Sequence, residues 1–228
     1  MQKLVLPLGA CLLVLIGATE ASAQTEVGRY RISANLGIQT FAESSALETS
    51  AVGAVDVSYY LTSSVALGLF AQVARPKTDP TFFPLVRLDF GTETEFHQPA
   101  QRMTSYVVGL QGQLSRAVGQ IEPHVIAGIG YYAFTLDPQQ NRSDESRDGF
   151  SLNLGLGASY ALSEAAGVRV EIRDMVFLDY DRDWFNLSDP LLAEPRFPEP
   201  GGVPPDKQST IHNLRFSLGF TYTPGAGR

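Results

Sequence analysis

Cysteine occurs once, at Cys11, and lysine three times, at Lys3, Lys77 and Lys207. With one thiol near the start of the chain, a disulfide framework, a cysteine metal site and a thiol nucleophile are all excluded from the rest of it. With a net charge of −7, the basic footprint that nucleic-acid binding requires is missing, and no nucleic-acid partner is expected. Charged residues make up only 18% of the chain against 44% apolar ones, the reverse of a disordered composition. Beyond the first 24 residues no apolar run approaches the roughly 18 residues that a membrane helix needs. Helical periodicity is absent from the same stretch, and alternation with a period of two takes its place.

The apolar run that does exist lies at the start. Lys3, the greasy stretch from Leu4 to Ala18, and Ala21-Ser22-Ala23 have the order of a secretory signal with small residues at the cleavage point. Residues 1–23 are therefore expected to be a signal peptide and 24–228 the exported domain. Leu8-Gly9-Ala10-Cys11 also spells a lipobox. Few apolar residues precede Cys11, however, and Leu12 to Ile16 stay greasy where a lipoprotein turns polar.

Eight alternating segments follow, at 28–41, 50–61, 63–75, 102–114, 120–135, 149–162, 167–180 and 210–223. Their connections alternate between short turns, near 62–63, 115–119 and 163–166, and long loops at 42–49, 76–101, 136–148 and 181–209. Eleven of the 14 prolines fall in the long loops, as expected for a residue that donates no ladder hydrogen bond. This pattern predicts an all-β fold, an eight-stranded antiparallel up-and-down transmembrane β-barrel with short periplasmic turns and long extracellular loops.

One face of these segments is almost wholly apolar: of 42 positions only Asp174 is ionisable, where an 18% charged composition would place about seven or eight. Aromatics on this face gather at two levels. Tyr30, Tyr59, Tyr160, Phe220 and Tyr222 mark the turn end, and Tyr106, Tyr131, Phe150 and Tyr180 the loop end. Two aromatic rings with aliphatics between them are the girdles of a bilayer-spanning wall. The greasy face is thus expected to point outward to lipid. For Asp174 the favoured expectation is a bulge after Arg173 that turns it inward and brings Met175 and Phe177 out; a surface hydrogen bond to a neighbour is the alternative.

The last segment, from Leu214 to Tyr222, alternates aliphatic and aromatic residues with polar ones. With the strand count and loop asymmetry, it makes the chain resemble the small eight-stranded outer-membrane barrels of the OmpA/OmpX type over about 28–223. The resemblance implies an outer-membrane location, insertion by the barrel-assembly machinery, contact with outer-membrane lipid and lipopolysaccharide, and a monomer. Thr223 to Arg228 extend past the terminal aromatic, and no cell-wall tether is expected.

Parity aims Arg29, Arg31, Asp56, Glu122, His124, Arg169, Glu171, Arg173 and Arg215 into the lumen. Eight strands leave room only for side chains, so these charges are expected to form a polar plug of ion pairs. Asp179, Asp181 and Asp183 are candidates for a loop cation cluster, against the plainer reading of a solvated acidic rim; all four long loops carry net negative charge. Loop 76–101 contains an alternating stretch, Val86 to Phe90, that suits a hairpin extension. With loop 181–209 it is the candidate surface for an extracellular ligand. Three scattered histidines, His97, His124 and His212, carry no catalytic motif, so neither an enzyme nor a cofactor or metal is expected. An envelope-structural or surface-interaction role is the favoured expectation. A narrow channel, a lipid A-modifying enzyme and a soluble periplasmic ligand-binding barrel are the alternatives.

Overall fold

The computed structural model describes residues 27–83, 86–89, 93–96, 100–136, 146–185 and 206–225. The signal segment, with Cys11, lies outside them. Eight strands close the barrel: β1 (Tyr30–Phe41), β2 (Ser50–Tyr60), β3 (Val65–Ala74), β6 (Met103–Ser115), β7 (Ile121–Leu136), β8 (Ser146–Ala161), β9 (Ala166–Phe177) and β10 (Ile211–Tyr222). Each pairs antiparallel with its sequence neighbours, and β1 meets β10 to complete the ring. A separate hairpin, β4 (Val86–Asp89) with β5 (Glu93–Phe96), stands in the loop between β3 and β6, where alternation predicted an extension.

Alternation becomes orientation in the closed ring. Leu154 and Ile129 are 46% and 60% exposed, while Arg173 and Arg215 are wholly buried. A soluble barrel would place greasy residues inside; here they form the outer wall, which overturns the soluble periplasmic alternative. In water such a surface would be an aggregation hazard. In a bilayer it is the side that lipid solvates. Closure leaves no edge strand, so the ladder groups of the wall pair around the ring, as a hydrocarbon environment demands, and one-sided pairing is confined to strand ends such as residues 146–149 of β8.

The turn ends are held by local chemistry. Leu61 and Thr62 donate to the Val65 carbonyl, and Thr62 Oγ1 accepts from the amides of Ser64 and Val65. Gly119 takes a φ of +62° in the β6–β7 turn, a left-handed conformation that costs a residue without Cβ little. Inside the wall, Gly157 lets the ring approach its contents: a Cβ there would lie 2.3 Å from the Val170 carbonyl oxygen and 2.8 Å from His124 Nε2.

Eight of the nine girdle residues named for the outer face, Tyr30, Tyr59, Tyr160, Phe220 and Tyr222 at the turn end and Tyr106, Tyr131 and Phe150 at the loop end, are exposed. Tyr30 and Tyr59 are directly opposite in the β1–β2 register with ring centroids 4.9 Å apart; Tyr131 and Phe150 are opposite in β7–β8 at 5.9 Å. Tyr180 is a correction. It lies beyond the end of β9, after Asp179 turns the chain with a φ of +55°, and its ring is buried in the barrel mouth.

Candidate functional site

The lumen has two storeys. The lower one is ionic and is centred on Glu171 of β9. One carboxylate oxygen, Oε2, accepts from Arg169 Nε at 3.1 Å, and the other, Oε1, accepts from Arg173 Nε at 2.8 Å and from Arg215 NH2. His124 Nε2 stands 3.7 Å from Oε2. The inward positions of β9 are two residues apart, so Arg169, Glu171 and Arg173 stack along one strand, and the register sets Arg215 of β10 opposite Arg173. Asp56 of β2 is a second anchor: it accepts from Arg173 NH2 at 3.2 Å, Gln111 Nε2 at 3.0 Å and Asn35 Nδ2 at 2.8 Å.

Amides and a phenol link these anchors to the rest. Arg215 NH1 donates to Gln72 Oε1, whose amide nitrogen donates to Gln39. Arg169 NH1 reaches Gln113, Gln113 donates to the Tyr60 hydroxyl, and Tyr60 donates to Glu122. Glu122 also accepts from Arg31 NH1 at 2.9 Å near the periplasmic mouth, where the Arg31 guanidinium lies 4.9 Å from the Tyr60 ring centre. Eight of the nine residues that parity aimed inward, Arg31, Asp56, Glu122, His124, Arg169, Glu171, Arg173 and Arg215, are thus brought to one connected interior, while Arg29 precedes β1 and is half-buried. Asn35, Gln39, Gln72, Gln111 and Gln113 share their parity and complete it. Tyr60 was not anticipated; it ends β2 on the inward side, and parity alone would have placed it there.

The upper storey is apolar, which the expectation of a purely polar plug did not include. Phe70, Val107, Tyr132, Phe134, Met175 and Phe177 project inward from four strands near the extracellular end and are buried. Tyr132 and Phe177 stack at 4.4 Å, and Phe134 meets Phe177 edge-on at 5.8 Å. Tyr180, Trp184 and Phe185 drop into this cup from the segment after β9 and are buried with it. The lumen is filled from the Arg31–Glu122 pair to these rings, so no open channel runs through the described residues. In a planar bilayer the purified barrel is expected to give no resolvable conductance steps; stable openings in the native protein would contradict the filled lumen.

The cap is tied down at its rim. The Tyr180 hydroxyl donates to the Ser45 carbonyl at 2.6 Å, Arg182 NH1 donates to the Ser44 carbonyl at 3.2 Å, and Gln101 Nε2 donates to the Phe185 carbonyl. Burial pushes the Tyr180 hydroxyl well above the ordinary tyrosine range, with the neighbouring Tyr132 adding to the rise and Arg182 opposing it. The neutral phenol is therefore the form that the cap retains. Its contribution is full below the unfolded-state value near 10 and fades as pH climbs through the folded-state value. Above about pH 10 the cap is expected to loosen while the barrel persists, read as increased acrylamide quenching of Trp184, the chain's one tryptophan. A Tyr180→Phe variant should show no such transition.

On the outer wall, Asp174 departs from expectation. Alternation is unbroken through β9, with Met175 and Phe177 inside and Asp174 outside, so the bulge is overturned. The second β strand of the pair explains it: Asp174 Oδ2 and His212 Nδ1 are 2.7 Å apart across β9–β10. A cross-strand partner makes an outward carboxylate tolerable, and a strand has no need of a bulge to hide it. The pair sits among Leu152, Leu154, Val176 and Leu214, close beneath the loop-end girdle.

The structure does not gather Asp179, Asp181 and Asp183 into a metal site. Asp181 caps the Asp183 amide, Asp183 pairs with Lys207, and among the described residues no group of three acidic, histidine or cysteine side chains could hold a metal ion.

With the wall, girdles and filled lumen in view, the profile of the outer membrane protein beta-barrel domain family matches residues 9–189. The chain belongs to that family. This outer-membrane barrel also matches solved structures by fold. Neisserial surface protein A aligns at 12% identity, covering 86% of this chain and 96% of its own, with a TM-score of 0.51. Ail, the attachment invasion locus protein of Yersinia pestis, aligns at 11% identity over 87% of this chain and 99% of its own, with a TM-score of 0.45. The outer membrane enzyme PagL aligns at 15% identity over 84% and 98%, with a TM-score of 0.37. No curated protein sequence matches it. At these identities the likeness concerns the fold alone, and the outer-membrane assignment rests on the family match.

Proposed function

We propose that this outer-membrane barrel serves as a surface-interaction protein with a structural share in the envelope, and that its extracellular loops carry the contact. The supporting observation is the filled lumen: with transport set aside, what the fold presents to the outside is its acidic loops and aromatic cap. Export through a signal cleaved after Ala23, insertion guided by the alternating terminal strand, and residence as a monomer among lipopolysaccharide belong to the same reading. Divalent cations shared between acidic loop carboxylates and lipid phosphates would hold the rim in that leaflet. Cells carrying the protein with 186–205 shortened to a brief linker are expected to keep it in the carbonate-washed outer-membrane fraction and to lose surface attachment. Undiminished attachment would overturn a loop-borne role.

The Asp174–His212 pair favours a second reading, chemistry on outer-leaflet lipid. A carboxylate on Nδ1 fixes the imidazole tautomer and leaves Nε2 free to act as a base. Acyl-chain profiles of lipid A from cells expressing the native protein and His212→Ala are expected to differ under this reading. Identical profiles would discard it.

A further inference from the structure

We propose that the extracellular mouth is a binding cup for a small aromatic molecule, held shut in the resting protein by the chain's own Tyr180, Trp184 and Phe185. This goes beyond the surface-interaction reading, which needs only contacts on the outside of the loops.

The cup and its contents have different origins. The walls are strand residues fixed by the ladder, among them Phe70, Val107, Tyr132, Phe134, Met175 and Phe177. The three rings that fill it come from one short stretch, 180–185, which pairs with no strand. They enter edge-on: Phe185 meets Phe134 at 5.9 Å and 83°, Tyr180 meets Phe134 at 6.1 Å and 72°, and Trp184 meets Phe185 at 5.0 Å and 68°. A site that accepts rings at these distances and angles is complementary to the edge and face of another aromatic group.

Sealing does not require this arrangement. Arg173 lies beneath the Phe70 ring, its guanidinium 5.4 Å from the ring centre, and the ion-pair storey below already fills the lumen. Had the mouth been left polar, water would have satisfied it without cost. The segment's rings pack in one buried cluster with the apolar walls.

The cover is held by side-chain contacts rather than by the strand ladder. Its ties include the Tyr180–Ser45, Arg182–Ser44 and Gln101–Phe185 hydrogen bonds, the Asp183–Lys207 ion pair at the exposed rim, the Arg182 guanidinium 5.8 Å from the Phe82 ring centre, and a backbone bond from the Tyr180 amide to the Ser209 carbonyl at 2.9 Å. Both sides of the clasp pass through left-handed residues that are not glycine, Asp179 at a φ of +55° and Ala46 at +57°. Aspartate adopts this region comparatively readily, whereas for Ala46 the conformation relies on the surrounding contacts. A segment held this way opens locally at far lower cost than a ladder strand, and a ring-bearing ligand would take the place of the resident rings.

Trp184 supplies the readout. The mature chain in lipid nanodiscs is titrated with 4-methylphenol, with excitation at the red edge of tryptophan absorption and protein-free nanodiscs as the partition control. A saturable red shift of Trp184 emission and a several-fold rise in acrylamide quenching are expected as the probe displaces the segment. Fewer closing bonds enlarge the open fraction, and apparent affinity scales with that fraction. Tyr180→Phe and, independently, Gln101→Ala should therefore each tighten probe binding by about three- to tenfold. Unchanged Trp184 emission in the native protein and both folded variants would overturn the proposal. So would probe binding weakened by either substitution. Neither result bears on surface attachment, which is read on cells through other residues.

Discussion

Replacing Glu171 with alanine is expected to lower the unfolding free energy of the barrel by about 3–5 kcal/mol, the range for removing one partner of a buried charged pair. The side chain accepts from Arg169, Arg173 and Arg215 at once, and all three guanidiniums are buried. Truncation leaves three cations facing one another with Asp56 as the remaining carboxylate among them. Neighbouring amides can satisfy some N–H groups, but they cannot balance charge. Urea unfolding followed by the heat-modifiable shift on gels gives the measurement, and an unchanged midpoint would contradict a load-sharing network. Glu171→Gln separates the two contributions. It keeps the shape and one acceptor, so a loss nearly as large as that of alanine assigns the effect to charge rather than packing.

The second large effect tests orientation. Ile129 lies on the outer face of β7 and is 60% exposed. In a water-soluble barrel, arginine at such a position would be nearly neutral or would aid solubility. In a bilayer the same substitution is expected to cost about 2–4 kcal/mol near the midplane, and the cost should shrink toward the girdles. Ile129→Arg is therefore expected to refold poorly into vesicles and to unfold at lower urea. A matching change at the turn end, Leu162→Arg, should be tolerated, because Leu162 sits in the β8–β9 turn where a guanidinium reaches water. Equal tolerance at both positions would contradict the membrane-spanning wall.

Much of this was legible in the chain because alternation is local. Each inward or outward assignment depends only on residue parity, so strands, girdles and the seven charged residues of the interior network could be read one segment at a time. Proline placement reinforced the boundaries, which differ from the structure by a few residues at most strand ends. The pairing of β4 with β5 was visible for the same reason: in sequence, Val86, Leu88 and Phe90 alternate with Arg87 and Asp89.

The misreadings fall where parity gives no answer. Tyr180 shares the parity of the outer face, but the ladder ends at Phe177 and Asp179 redirects the chain. Asp174 was judged from β9 alone, whereas its position is decided by His212 on the neighbouring strand. The aromatic storey was overlooked although Tyr132, Phe134, Met175 and Phe177 all carry inward parity. Apolar side chains on the polar face are unremarkable strand by strand and become a cluster only when four strands converge.

The chain by itself determined the class of fold, the outward greasy wall and the identity of the buried charges, since those follow from a two-residue repeat set against lipid and lumen. Which charges meet was decided only by closure. The stagger of the ring sets Arg173 of β9 beside Asp56 of β2 and Arg215 of β10 beside Gln72 of β3, residues remote in sequence that no local rule connects. The cap over the mouth was likewise a tertiary outcome, because a loop has no repeat of its own and takes its shape from the surface it covers.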